Sequence, residues 1–234
     1  MSLFKPWTWF RRAVLNAQGH TAPSRVAPGA TSVPSWLPVA DRDRAPKLNP
    51  GAISESFVEG VSIPVLVVVD MQPYFGNSQI PEVMENVIRQ MKVFIANGWP
   101  IVILEYNNCG ASDPRIDALV ETPEFRYPHL ARMVKSDDDG SNEVFLACKK
   151  YGFGMGFFRA CGVNSTACVL ATVQGLNRIA PNALVEVVRE ACGPATDFGQ
   201  YPKQPNVAIR TVQEADTAEA AKLPNFKLPD LAAA

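Results

Sequence analysis

One run of residues limits this chain more than any other: Ile63-Pro-Val-Leu-Val-Val-Val-Asp70. It is continuous, β-branched and free of polar alternation, which fits a strand buried on both faces at the centre of a parallel sheet. Pro100-Ile-Val-Ile-Leu-Glu-Tyr106 has the same character. Between the two, Ile80 to Asn97 carries Val83, Val87, Met91 and Phe94 at helical spacing, with Pro81 near its start and Gly98 at its end. Strand, helix and strand in that order are the parts of a right-handed βαβ unit.

The pattern continues. A short helix fits Arg115 to Glu121 within an otherwise irregular 107–128 region. His129 to Val134 reads as a third strand that leads into Lys135. Ser136-Asp-Asp-Asp-Gly-Ser141 reads as a solvated turn with Ser141 as N-cap, and Asn142 to Tyr151 as a helix closed by Gly152. Further strands are expected at Phe157–Cys161, at Ala183–Val188 and at Asn206–Val212. The expected fold is α/β, a Rossmann-like three-layer α/β/α sandwich on a mainly parallel sheet of about six strands.

Residues 1–60 differ. Seven prolines fall between Pro6 and Pro50, and the first acidic residue is Asp41. This composition fits an extended arm. Its aromatic and basic start, with Trp7, Trp9, Phe10, Arg11 and Arg12, suits docking onto a partner or the protein's own body. A transit peptide for an organelle matrix is the alternative for residues 1–40. The body is expected at 61–215, followed by an Ala-rich peripheral tail at 216–234.

Charge and cysteine usage narrow the setting. A formal net charge of −1 gives no pull toward nucleic acid, and no apolar run approaches the ~20 residues of a membrane span. The five cysteines contain no C-x-x-C pair, which fits a reducing, cytoplasmic compartment.

The chemistry gathers at strand ends. In open α/β sheets, sites assemble at the C-terminal edge, and Asp70 stands there after the first strand. Cys161-Gly-Val-Asn-Ser-Thr-Ala-Cys168-Val reads as strand, turn and helix start. Backbone N–H groups and the helix dipole at such a start favour a thiolate. Plain structural roles are open to each residue: Asp70 could cap a turn, Lys135 could neutralise Asp137 to Asp139, and Cys168 could be core.

Val67-Val-Val-Asp70-Met-Gln72 with Phe75, a lysine after the third strand, and Gly162-Val-Asn-Ser-Thr-Ala-Cys168-Val together resemble the isochorismatase-like cysteine hydrolases, over about residues 61 to 215. Ser165 stands where that family more often has threonine. Lys149-Lys150-Tyr also looks like the family's lysine signature, but Lys150 is 18 residues before Cys168. The resemblance implies a helix and a strand between lysine and cysteine, which need roughly 30 residues, and Lys135, 33 residues before Cys168, leaves room for both.

The resemblance implies Asp70 as general base, Cys168 as nucleophile and Lys135 as the charge that steadies both. N–H groups around Ala167 and Cys168 would hold an oxyanion beside the Asn164 turn, with a cis peptide near Val163–Asn164. Gln72, Phe75, Tyr106 and Asn107 are the candidates for lining a substrate pocket. No cofactor is implied. The nicotinamidase branch carries an Asp-x-His metal element where this chain reads Glu105-Tyr-Asn-Asn, so no metal is expected.

The implied reaction is metal-independent hydrolysis of a small amide, ureide or N-carbamoyl compound through a cysteine thioester, with vinyl-ether hydrolysis also known in the family. Homo-oligomers are usual there. The alternative is the same fold reused as an interaction module, docked into a larger assembly by its arm.

Overall fold

The computed structural model describes residues 63–194 and 198–222. The expected arm therefore lies outside the described residues, as does most of the expected tail. The first strand, β1 (Val65–Val69), is buried at every position. Helix α1 (Pro81–Asn97) opens on its proline and ends at Gly98, and its Val83, Val87, Met91 and Phe94 stripe faces the core. The chain continues through β2 (Ile101–Tyr106), α2 (Pro114–Val120), β3 (Leu130–Lys135), α3 (Ser141–Tyr151) and β4 (Phe157–Val163). It then forms α4 (Cys168–Ile179), β5 (Leu184–Gly193), β6 (Val207–Arg210) and α5 (Val212–Lys222).

The six strands lie in the order β3-β2-β1-β4-β5-β6, every pair parallel. Helices α1 and α2 pack together on one face, and α3 and α4 on the other. The result is the three-layer α/β/α sandwich expected from the strand–helix alternation. Strand order reverses direction between β1 and β4, and the crevice beyond the strand ends at such a switch point is where ligands bind in open α/β sheets. No helix among the described residues is long and apolar enough to cross a membrane.

Three local differences from the sequence reading have physical causes. Strand β5 runs ten residues, to Gly193, although Arg189 and Glu190 interrupt its apolar run. Its register against β4 shifts between Ala160 and Gly162, so the charged pair bulges out and pairing resumes at Cys192 and Gly193. Helix α5 crosses the expected boundary at 216, held by an ion pair of 2.7 Å between Asp216 and Arg89 of α1. Ser141 is the first residue of α3 and not its cap; Asp139 accepts the Ser141 N–H at 2.9 Å instead.

The core also holds a buried ion pair. Arg159 of β4 donates to Glu186 of β5 at 2.8 Å and to Gln90 of α1 at 3.4 Å, with the rings of Phe94 and Phe157 against its guanidinium. Neither partner is exposed. Such a pair survives burial because each charge has its counterion and hydrogen bonds in place.

Gly162 sets how closely β1 and β4 approach below the switch point. Its φ is +116°, and a Cβ there would lie 2.1 Å from the Val69 carbonyl oxygen. Gly162→Ala is therefore expected to cost about 3 kcal/mol or more, from the left-handed backbone and the backbone overlap together. Chemical denaturation checks this, and a variant as stable as the parent contradicts it.

Candidate active site

Asp70 is the residue immediately after β1. Its φ of +52° is one that aspartate tolerates better than most side chains, and its N–H donates to the Leu104 carbonyl at 3.0 Å. Lys135 ends β3, two strands away. Register places it beside Tyr106 of β2, and its ammonium lies 4.4 Å from the centre of that ring. Its Nζ lies 2.8 Å from Asp70 Oδ2. Both side chains are fully buried.

Cys168 is the first residue of α4, after the Val163–Asn164 peptide, which is cis. Its residue is 4% exposed. Two carboxylates act on its Sγ: Asp138, whose Oδ1 accepts from the thiol at 3.4 Å, and Asp70, whose charge bears on the thiol and whose carboxylate oxygens accept no hydrogen bond among the described residues. Asp70, Lys135 and Cys168 are thus brought together as their positions at strand ends led one to expect. Lys149 and Lys150 are exposed in the last turn of α3, where their ammonium groups sit over Phe145 and Tyr151.

Electrostatics here differ from the sequence expectation. A thiol at a helix start was expected to ionise readily, but burial pushes the Cys168 thiol far above its ordinary value, and the Asp70 charge pushes it further. Lys135 opposes both. Burial likewise raises the Asp70 carboxyl above the usual carboxylate range, against the pull of Lys135. The resting site holds a neutral thiol beside a carboxylate of raised basicity.

The folded state binds the Asp70 proton more tightly than the unfolded chain, whose value is 3.8. As pH rises from there through the folded pKa, this group therefore subtracts from stability.

Several residues have roles other than the expected ones. Gln72 is fully buried and serves the backbone: its amide donates to the Tyr106 and Gly110 carbonyls and accepts the Tyr106 N–H. It braces the end of β2. The Ala167 N–H donates to the Asn164 carbonyl at 3.1 Å, so it is not free for an oxyanion. The Cys168 N–H makes no hydrogen bond among the described residues and is the donor still available. Asn164 receives the Asn77 amide on its side-chain oxygen at 2.5 Å. Phe75 is half-buried with its ring edge-on to Tyr106, and Asn107 is exposed, its N–H donating to the Lys135 carbonyl.

The expected solvated turn, with Ser136, Asp137 and Asp138 exposed, is also pinned from several sides. Lys135 Nζ donates to the carbonyls of Asp137 at 3.0 Å and Asp138 at 3.5 Å. The Gly140 N–H donates to Thr172 Oγ1 at 3.1 Å, and Arg178 pairs with Asp139 at 2.8 Å. A Cβ on Gly140 would meet Lys135 Cδ at 2.9 Å, so this glycine lets the lysine stem pass. Thr172 lies four residues after Cys168, on the same face of α4, and that spacing was the available sequence signal.

Among the described residues no three His, Cys, Asp or Glu side chains gather as a metal site. A separate cavity of about 340 Å³, lined by Glu105, Ala111, Asp117, Glu121 and Arg132, contains none of Asp70, Lys135 or Cys168. Arg132 is already paired there with all three carboxylates, at 2.6 to 3.3 Å.

No family model and no curated protein matches this chain. Solved structures do. The MAR1 ribonuclease from Caenorhabditis elegans is 18% identical, over 74% of this chain and 95% of that one, with a TM-score of 0.53. The YcaC gene product from Escherichia coli, described as an octameric hydrolase of unknown specificity, is 14% identical over 70% and 90%, with a TM-score of 0.51. An isochorismatase from Pseudomonas putida is 13% identical over 70% and 96%, with a TM-score of 0.47. The fold is shared with the MAR1 and YcaC structures. At these identities the neighbours speak to architecture and not to reaction.

Lys135 lowers the pKa of both Asp70 and Cys168. Whichever of the two limits reactivity, Lys135→Met is expected to move the acid limb of Cys168 alkylation to higher pH by about 1 unit or more. Alkylation rates across a pH series, read by peptide mapping, check this. An unmoved limb contradicts the coupling.

Proposed function

We propose that this chain is a cysteine hydrolase of a small-molecule C–N bond, in an amide, ureide or N-carbamoyl compound. The observation that carries the reading is the cluster itself: a buried thiol in the field of a carboxylate of raised basicity, which is in turn 2.8 Å from a buried ammonium. A thiol needs a base or a positive field to attack at neutral pH, and this cluster supplies both.

In the proposed reaction, Cys168 Sγ bonds to the substrate carbonyl carbon as its proton passes to Asp70. The carbonyl oxygen becomes an oxyanion beside the Cys168 N–H, the donor that remains free. The C–N bond then breaks, and Asp70 returns the proton to the departing nitrogen. A thioester remains. Water attacks it with Asp70 again as base, the C–S bond breaks, and Sγ regains the proton as the acid product leaves. Lys135 offsets whichever anion is present, carboxylate or oxyanion. No step requires a metal.

RNA is the substrate implied by the name of the C. elegans protein. In this chain the exposed Asp138 carboxylate stands at the thiol, and a phosphodiester backbone would meet like charge there. A small uncharged or cationic amide suits the site better.

One observation favours a second reading. Cys168 is almost fully buried with its thiol pushed toward the neutral form, as in a fold kept for interaction and not for chemistry. A panel of amides, ureides and N-carbamoyl compounds separates the two. Hydrolysis with at least a 1,000-fold loss (about three orders of magnitude) in Cys168→Ala is expected if Cys168 is the nucleophile. An acyl-enzyme detected by intact mass would accompany it. Turnover that survives Cys168→Ala would sink the mechanism.

A further inference from the structure

Asp138 is unlike the other groups that touch the thiol. Asp70 and Lys135 are buried and neutralise each other, whereas Asp138 is exposed. Its Oδ1 accepts the Cys168 thiol at 3.4 Å, and among the described residues no lysine, arginine or histidine pairs with its carboxylate. A molecule arriving from solvent therefore meets an uncompensated negative charge next to the nucleophile.

The carboxylate is held in place. The Asp138 carbonyl accepts from Lys135 Nζ and from Thr172 Oγ1, both at 3.5 Å, and its own N–H donates to Asp137 Oδ1 at 2.6 Å. Asp139 is tied to Arg178 and to the start of α3, and Gly140 is tied to Thr172. Fixing a second anion here works against attack by sulfur, because its charge makes Cys168 harder to ionise. Such a group makes electrostatic sense when the incoming molecule supplies the missing positive charge.

Resting on the cysteine-hydrolase reading of this site, we propose that Asp138 is a specificity-determining residue that selects amide substrates bearing a cationic N–H group beside the scissile carbonyl and repels those bearing a carboxylate or phosphate. The cation pairs with Asp138 Oδ2 or Oδ1 as the carbonyl carbon comes onto Sγ. The thiol then gives up its hydrogen bond to Asp138, and its proton passes to Asp70 as sulfur attacks.

Charged thiol probes test this without knowledge of the substrate. The full chain is treated at low salt and neutral pH with three methanethiosulfonates: trimethylammonioethyl, methyl and sulfonatoethyl. Labelling at Cys168 is followed by peptide mapping, and each charged rate is divided by the neutral one. In the native chain the cation is expected to outpace the anion. Asp138→Asn is expected to cut that preference about tenfold, the scale of one unit charge acting with opposite sign on two probes at ~5 Å in a watery mouth.

Asp137→Asn, which removes an exposed neighbour that does not touch the thiol, should leave the preference intact. High salt should collapse it in the native chain. A preference unchanged in Asp138→Asn, or lost equally in Asp137→Asn, overturns the assignment; normal labelling by the neutral reagent then leaves the nucleophile reading standing. Failure of even the neutral reagent to label Cys168 overturns both.

Discussion

The contact between Lys135 Nζ and Asp70 Oδ2, 2.8 Å long and sealed from solvent, is the interaction on which the rest of the site depends. Two charges buried this deeply persist only as a pair. Removing either partner from such a pair typically costs about 3–5 kcal/mol, because the other is left uncompensated. The pair also joins β1 to β3 across β2, and so fixes the strand ends relative to one another. The same ammonium takes the carbonyls of Asp137 and Asp138. One lysine thus holds the carboxylate behind the thiol and the segment that carries the carboxylate in front of it.

Burial decides the protonation state. An isolated thiol at a helix start leans toward ionisation, but here desolvation and the Asp70 charge outweigh both the helix and Lys135. In the proposed hydrolysis this favours base-assisted attack by a thiol over attack by a preformed thiolate. The raised basicity of Asp70 is the same desolvation seen from the other partner. A base of this kind takes a proton readily and can return it to a departing nitrogen.

Much of this was readable from the chain because it depends on local pattern. The uninterrupted Val65–Val69 run announces a central strand, and the acid that ends it marks the sheet edge. Lys135 and Lys150 are told apart by the helix and strand that the family resemblance implies before the cysteine, whose combined length only Lys135 leaves room for. What escaped depends on non-local partners. The Arg159–Glu186 pair forms across β4 and β5, and nothing in an apolar strand containing one arginine names its counterion. Three consecutive aspartates look solvated until Lys135, Thr172 and Arg178 converge on them from other elements. Ala167 fell on the expected turn, but its N–H is taken by the Asn164 carbonyl three residues back. The last residues of β5 are in the sheet because β4 offers them a partner after a bulge, which their own polarity does not reveal.

The most direct measurement is a competition among the protein's own thiols. A limiting amount of a neutral alkylating agent is added to the native chain at mildly acidic pH, and the order of labelling is read by mass. Cys109 is the more exposed thiol, while Cys168 is nearly buried and flanked by Asp70 and Lys135. If Asp70 draws the proton away as sulfur attacks, Cys168 labels first in spite of its burial. If labelling follows exposure, with Cys109 ahead and Cys168 among the slow core thiols Cys148, Cys161 and Cys192, the cluster does not activate the thiol and the hydrolase account fails.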